Sequence, residues 1–248
     1  EGAALWLLDG ISLFLKINRF ELSGFGTIAE FSRDGHEYKE FGLGISLKFT
    51  ALEKDFQFGL QLFYGRVKGP VDNFTYWLFG FQLAVCPVGT FELESIQFLL
   101  AGNMHPNLPP PSGQAQEMRL LDWYKQNRTA GALTVNADRS MGRSGWRAED
   151  RSMAAGVGTD IGLSMTKAVI LRAFIFFHRS PGEAGLLIAA EVFMLKSKQP
   201  VGFGALELDF ENDRWSLLLG VNVDLAKVTG TDSKMLKGLA ALTGTLYA

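Results

Sequence analysis

Large apolar residues fall at every second position in Phe41-Gly-Leu-Gly-Ile-Ser-Leu-Lys-Phe49 and again in Phe56-Gln-Phe-Gly-Leu-Gln-Leu62, with Gly, Ser, Gln or Lys between them. A period of two is that of a β-strand, so both segments predict strands with one greasy face and one small or polar face. Residues 75–85 and 91–100 read as two further strands. In the first of these Trp77, Phe79, Phe81, Leu83 and Val85 share a face, while Tyr76 and Leu78 occupy the other. Apolar residues on both faces predict a central strand covered on both sides.

Turn residues join these strands. Asp9-Gly10 suits a tight hairpin between residues 5–8 and 11–14, because both central positions of such a turn need positive φ. Asp34-Gly35 joins residues 20–31 to 37–49 in the same way, which sets Phe20 opposite Phe49, Leu22 opposite Leu47, Gly24 opposite Ile45, Gly26 opposite Leu43 and Ile28 opposite Phe41. A slip of one residue would turn one strand's apolar set to the other side, so this register is well determined. A turn is expected around Lys68-Gly69-Pro70.

Strands resume at residues 151–156, 161–165, 167–178, 185–196, 202–210 and 214–225. Their longest apolar runs are interrupted by Arg172, His178 and Glu191. The last two strands predict a hairpin with Leu206 opposite Leu219, Leu208 opposite Leu217 and Phe210 opposite Trp215, its other face exposing Glu207, Asp209, Asn222 and Asp224. The tail from Asp232 reads as a short helix with Met235, Leu236, Leu239 and Leu242 on one side, or else as the first strand of a following unit.

Between the two strand-rich parts the composition turns polar. Pro106 and Pro109-Pro-Pro111 give a stiff extended stretch, and Ser112 is a candidate N-cap for a helix over residues 114–126 whose Met118, Leu121, Trp123 and Tyr124 would dock on the sheet. Residues 136–145 read as a loop. The expected architecture is therefore mainly β: a large antiparallel sheet assembly, sandwich-like or an open curved sheet, with one short helix and a long Pro-rich loop. It divides into a β-meander half at residues 1–101, the loop and helix at 102–150, and a second β half at 151–248 packing on the first, as one composite domain.

At 248 residues the chain is long enough for one large β unit. Its net charge of −2, with both signs scattered, leaves no polyanion-binding footprint, so nucleic acid is not an expected partner. No apolar run is long enough for a membrane-spanning helix. The opening residues show neither a basic signal region nor an initiator Met, which predicts a segment of a longer protein. The single cysteine, Cys86, is expected as a small buried hydrophobe.

Candidate chemistry is sparse. Gly24-Phe-Gly-Thr and Gly156-Val-Gly-Thr-Asp-Ile-Gly162 sit within strands, whereas a phosphate-binding loop joins a strand to a helix. His36, His105 and His178 have no partner at a metal-ligand spacing; His105, at the mouth of the proline loop, is the candidate loop site. Glu92 and Glu94 would share a strand face about 7 Å apart, a spacing that paired carboxylates use and that solvated strands also produce. Asp209, Glu211 and Asp213 lack the Gly and Glu of a calcium loop and read as a polar hairpin tip. No catalytic, cofactor or metal set is expected.

The strand Tyr76-Trp-Leu-Phe-Gly-Phe-Gln-Leu83, the run from Phe91-Glu-Leu-Glu-Ser-Ile-Gln-Phe to Asn103 entering the proline loop, and Ala154-Ala-Gly-Val-Gly-Thr-Asp160 before long apolar strands follow one another in an order that resembles the large β-rich proteins of bacteria and fungi grouped as domain of unknown function 6603. The resemblance implies a module of a longer protein and carries no functional residues. The leading expectation is a non-enzymatic structural or interaction module that meets neighbouring segments of its own chain or other protein subunits. The alternative is a carrier whose apolar groove, lined by Phe41, Leu43, Ile45, Leu47, Phe49, Phe56, Phe58, Leu60 and Leu62, holds lipid or another hydrophobic ligand. A transmembrane β-barrel segment ranks third. Coverage of that apolar face separates the first two: a closed sandwich leaves no groove, and an open sheet does.

Overall fold

The computed structural model describes residues 6–51, 54–88, 91–111, 117–127, 145–163, 169–194, 200–224 and 241–247. In chain order they form β1 (Trp6–Ile17), β2 (Phe20–Arg33), β3 (His36–Ala51), β4 (Lys54–Lys68), β5 (Asn73–Val88), β6 (Phe91–Pro106), α1 (Arg119–Asn127), β7 (Trp146–Leu163), β8 (Val169–Ser180), β9 (Glu183–Met194), β10 (Gly202–Asp209), β11 (Arg214–Asp224) and β12 (Ala241–Tyr247). The strands lie side by side in sequence order as one open antiparallel sheet of twelve. Of the two architectures the alternation allows, the open sheet is the one formed. The first and second halves meet edge to edge through the β6–β7 ladder and not face to face as expected.

The β2–β3 hairpin has the predicted register, from Phe20 opposite Phe49 to Ile28 opposite Phe41. Asp34 and Gly35 both have positive φ, 50° and 76°, which is the backbone a two-residue turn of this hand requires. Asp9-Gly10, by contrast, is not a turn. β1 runs through it, and the ladder to β2 shifts between Leu8 and Ile11, the mark of a bulge. The chain reverses instead at Asn18-Arg19, where Asn18 takes φ 52°.

The β10–β11 hairpin departs from its predicted register by two residues: Leu206 faces Leu217 and Leu208 faces Trp215. A shift of two preserves which side chains share a face, so alternation alone does not exclude it. The turn decides. The Asp209 carboxylate accepts the N–H groups of Glu211 and Asn212, each at 3.2 Å, and closes the turn one residue earlier than expected. Phe210 leaves the hairpin ladder and its N–H donates to the Ala184 carbonyl at 2.9 Å.

β7 joins into one strand the two pieces predicted at 151–156 and 161–165. Its Gly156 lies under the Phe176 ring, which would stand 3.0 Å from an added Cβ. Residues 225–240, with most of the predicted tail helix, lie outside the described residues. Leu242 belongs to β12, which pairs with the outer side of β11, so here the expected helix is replaced by a strand. Its β-branched Thr243 and Thr245 suit a ladder that an open sheet edge offers.

The predicted helix forms, but it begins at Arg119 instead of residue 114; Ser112 lies outside the described residues. The first N–H groups of a helix need external acceptors. Those of Leu120 and Leu121 are taken by the Glu207 carboxylate of β10, both at 3.1 Å, so the cap comes from the sheet. The helix thereby sits on the sheet side that carries Tyr76, Leu78, Leu99, Phe174, Phe176 and Leu187, all buried. Tyr124 stacks on Phe174 with 4.3 Å between ring centroids, and Trp123 packs edge-on against Trp146 at 5.3 Å. Met118, Leu121, Trp123 and Tyr124 are all buried, as the helical pattern predicts. This is the core.

Candidate functional site

Because the ladder registers are continuous from β2 to β11, side chains on the side away from α1 line up in rows across the sheet. One row runs Ile45, Leu60, Phe81, Phe98, Val157, Ile175, Ile188, Leu206, Leu217. The nine residues of the predicted apolar face, Phe41, Leu43, Ile45, Leu47, Phe49 on β3 and Phe56, Phe58, Leu60, Leu62 on β4, all lie on this side, eight of them opposite one another in four rows and Phe41 opposite Tyr64 in a fifth. Phe49 stacks on Phe56 at 5.2 Å, and Phe58 meets Phe81 edge-on at 5.1 Å.

No described element lies over these rows. Phe41, Phe98, Leu100, Ile175 and Ile188 are each 40 % or more exposed, and they come from β3, β6, β8 and β9. β5 was expected to be covered on both sides; its Tyr76 is fully buried while Trp77, the next residue, is 41 % exposed. The difference is α1, which covers only Tyr76's side. The face that holds the most apolar side chains is thus the one left open, and the small and polar face holds the helix.

His105, the candidate loop residue, ends up inside. A register shift between Gly102 and Met104 turns the end of β6 so that Met104, His105 and Pro106 are all buried beneath the helix layer. Its Nε2 lies between the Arg147 guanidinium and the Glu149 carboxylate, which pair with each other at 3.0 Å. Burial, and then the charge of Arg147, hold its imidazole below the ordinary histidine range. The ring stacks 6.4 Å from that of His178, which is also buried and is pushed down to about 4 by burial first and by His105 second. The Nδ1 atoms of both rings have no hydrogen-bond partner among the described residues.

Beside His178 a cavity of about 720 Å³ opens between the proline loop, the start of α1 and the tips of the β8–β9 and β10–β11 hairpins. Four of its charged lining groups, Arg119, Glu183, Glu207 and Asp209, are engaged with the protein itself. Arg119 pairs with Glu183 at 2.8 Å and donates to the Pro109 carbonyl at 2.7 Å; Asp209 holds its own turn; Glu207 caps the helix. Burial pushes the Glu207 carboxyl up to about 7, against the two backbone N–H groups that favour its charge. Glu207 was expected to be exposed. It shares a face with Ala205 and with Leu187 of β9, and that face is the covered one.

Two more inward polar groups lay unrecognised in the sequence pattern. Arg172 makes paired bonds to Asp160 at 2.8 and 3.1 Å and approaches Glu191 at 3.8 Å, and Tyr76 donates to Glu40 at 2.7 Å. The signal was present: Arg172, His178 and Glu191 interrupt the apolar runs, and Arg172 and His178 fall on the parity of Phe174 and Phe176. Their interruption of the run marks a shared inward network.

The remaining candidates stay apart. The Glu92 side chain lies outside the described residues, and the β6 register shift between Leu93 and Ser95 places Glu94 at an extra residue, breaking the alternation behind the supposed pair. His36 lies beside the β2–β3 turn, its Nδ1 donating to the Asp34 carbonyl at 2.9 Å. Among the described residues no three His, Cys, Asp or Glu side chains converge as a metal set, and no helix is long and apolar enough to cross a membrane. No protein-family model, curated protein or solved structure matches the chain.

Proposed function

We propose that this chain is a non-enzymatic β-module that works by contact, its working surface being the apolar sheet face opposite α1. One observation carries the reading: rows of Phe, Leu, Ile and Val run across the sheet from β2 to β11 with no described element above them, while the opposite face has its own helix, cap and core. An uncovered band of roughly 26 by 43 Å, from eight residues of strand rise and nine strand spacings, has a projected area of about 1,100 Å². The largest apolar patch of an ordinary monomer is roughly 300–600 Å², so a surface of this size is a contact surface. The contrast with the cavity supports the same reading, since its Arg119, Glu183, Glu207 and Asp209 are spent on internal bonds.

The test is a pair of glutamates in the middle of the band, Leu62→Glu with Phe79→Glu. The expected result is a chain that keeps its β circular-dichroism signal but no longer needs detergent or a partner to stay dispersed, where the parent does. Identical dispersion and association of parent and variant would end the proposal. A carrier of lipid or another hydrophobic ligand is the second reading, supported by the openness of the rows from Phe41 to Phe49 and from Phe56 to Leu62. Adducts of lipid mass on the native protein that vanish on denaturation would favour it.

A further inference from the structure

The geometry points to a lipid surface as the partner of the apolar face, and this rests on the contact-module reading above. Three features separate hydrocarbon from a protein partner. The first is the scarcity of polar groups inside its border. A protein interface of this area carries roughly one hydrogen bond per 100–200 Å². Inside the end row that carries Tyr64 and Trp77, the one hydroxyl among the described residues of the band is that of Thr159, and it donates to the Ser95 carbonyl of its own sheet at 3.0 Å. The interior of the band therefore offers a partner few polar groups beyond the indole of Trp215 at its far side, and hydrocarbon asks for none.

The second feature is area. The band is larger than the roughly 800 Å² per partner of a standard protein interface and has no polar rim until its border. The third is that border. At the end of the band nearest the β2–β3 turn, Phe41, Tyr64 and Trp77 stand in one row, 42, 49 and 41 % exposed. One step further on the same face Glu30 pairs with Lys39 at 2.9 Å, and Arg66 lies beside Lys39. Aliphatic side chains, then amphipathic rings, then charges is the order met on passing from hydrocarbon to water.

The sheet edges settle how it lies. β1 and β12 end the sheet, and an open edge inside hydrocarbon would strand its backbone N–H and C=O groups. The sheet therefore docks by its face and does not cross as a closed wall. The apolar side chains enter the acyl region while α1 and the cavity stay on the water side.

The experiment is flotation of the whole chain with phosphatidylcholine vesicles on a density gradient, alongside sedimentation without vesicles. Leu60→Lys with Phe81→Lys charges the band; Gln57→Lys with Gln82→Lys places the same charge on the opposite face as a control. The expected result is that the parent and the control float and that the band variant partitions at least tenfold less. Ile188→Lys on β9 is a milder second variant with the same expected direction should the double change disturb folding, which circular dichroism reports. A parent that stays off vesicles but forms a dimer which the band variant dissolves would overturn the lipid surface and keep the contact module. Binding of a monomeric fatty acid without vesicle flotation would overturn it in favour of the carrier. A parent that neither floats nor associates would overturn both readings.

Discussion

The two faces of this sheet are built from the same strands, yet they are held to different standards. On the helix side every large residue has a fitted neighbour: the Tyr76 ring lies over Gly65, Phe176 over Gly156, Tyr124 on Phe174. Buried charged and hydroxyl groups there are paired across strands, Tyr76 with Glu40 and Arg172 with Asp160. On the open side the rows contain the same kinds of residue, with no described element above them and little polar matching. A face designed to hold the fold together has to satisfy its buried polar groups; a face designed to meet an apolar surface has only to avoid having any. The comparison identifies the helix side as the stabilising one and the open side as the one free to do something else.

This contrast is open to direct attack. The largest effect expected is from Phe176→Ala, which empties the centre of the helix layer and should cost about 3–5 kcal/mol in chemical denaturation. Phe81→Ala, on the open face, should cost less than half as much in the isolated chain, since its ring has little to lose above the sheet. Equal costs would mean that the open face is in fact covered. Next is Gly65→Val, which forces a side chain into the Tyr76 ring and should destabilise by about 1–3 kcal/mol.

A smaller effect, of about 1–2 kcal/mol, is expected from Glu207→Ala, which leaves the Leu120 and Leu121 N–H groups without their acceptor. The same residue gives the comparison a pH axis. Its folded pKa of about 7 lies above the ordinary 4.5, so the folded chain keeps a proton that the unfolded chain releases. Its contribution is fully present below about 4.5 and is lost as pH rises through about 7. Glu207→Gln retains an acceptor but not the titration, so the melting temperature of the variant relative to the parent should rise between pH 5 and pH 8. A constant difference would show that Glu207 titrates normally and that the cap is not buried.

The smallest effect is expected at His178. Its folded pKa of about 4 lies below the ordinary 6.5, so its contribution is present above 6.5 and is lost as pH falls through about 4. His178→Phe keeps a ring against Phe176, loses an Nδ1 that bonds nothing among the described residues, and should move the acid-unfolding midpoint to lower pH. An unmoved midpoint would place the acid sensitivity elsewhere, with His105 and its Arg147–Glu149 pair the next residues to change.

Much of the fold was legible because alternation and two-residue turns constrain neighbours in the chain. The β2–β3 register followed from Asp34-Gly35 alone. The same logic misplaced the first turn, because Asp-Gly serves a bulge as readily as a hairpin, and Asn18 had no Gly beside it to draw notice. In β10–β11 an even slip left the alternation unchanged and the Asp209 side chain made the choice. The apolar face was legible residue by residue. What the pattern did not disclose was which face the helix would take, since that depends on Glu207 and on the bulge that turns His105 inward. Alternation records that two faces differ; it does not record which one will be buried.

Each strand of this sheet pairs only with its predecessor and its successor. The ladders therefore join only strands that follow one another in the chain, the longest excursion between them lying between β6 and β7. They also make the architecture extensible. A duplicated or deleted hairpin adds or removes two strands and restores the direction of the chain, so the remaining ladders keep their partners and the apolar rows keep their side. Such a sheet can change its width between related genes one hairpin at a time, widening its open face without redesigning its core.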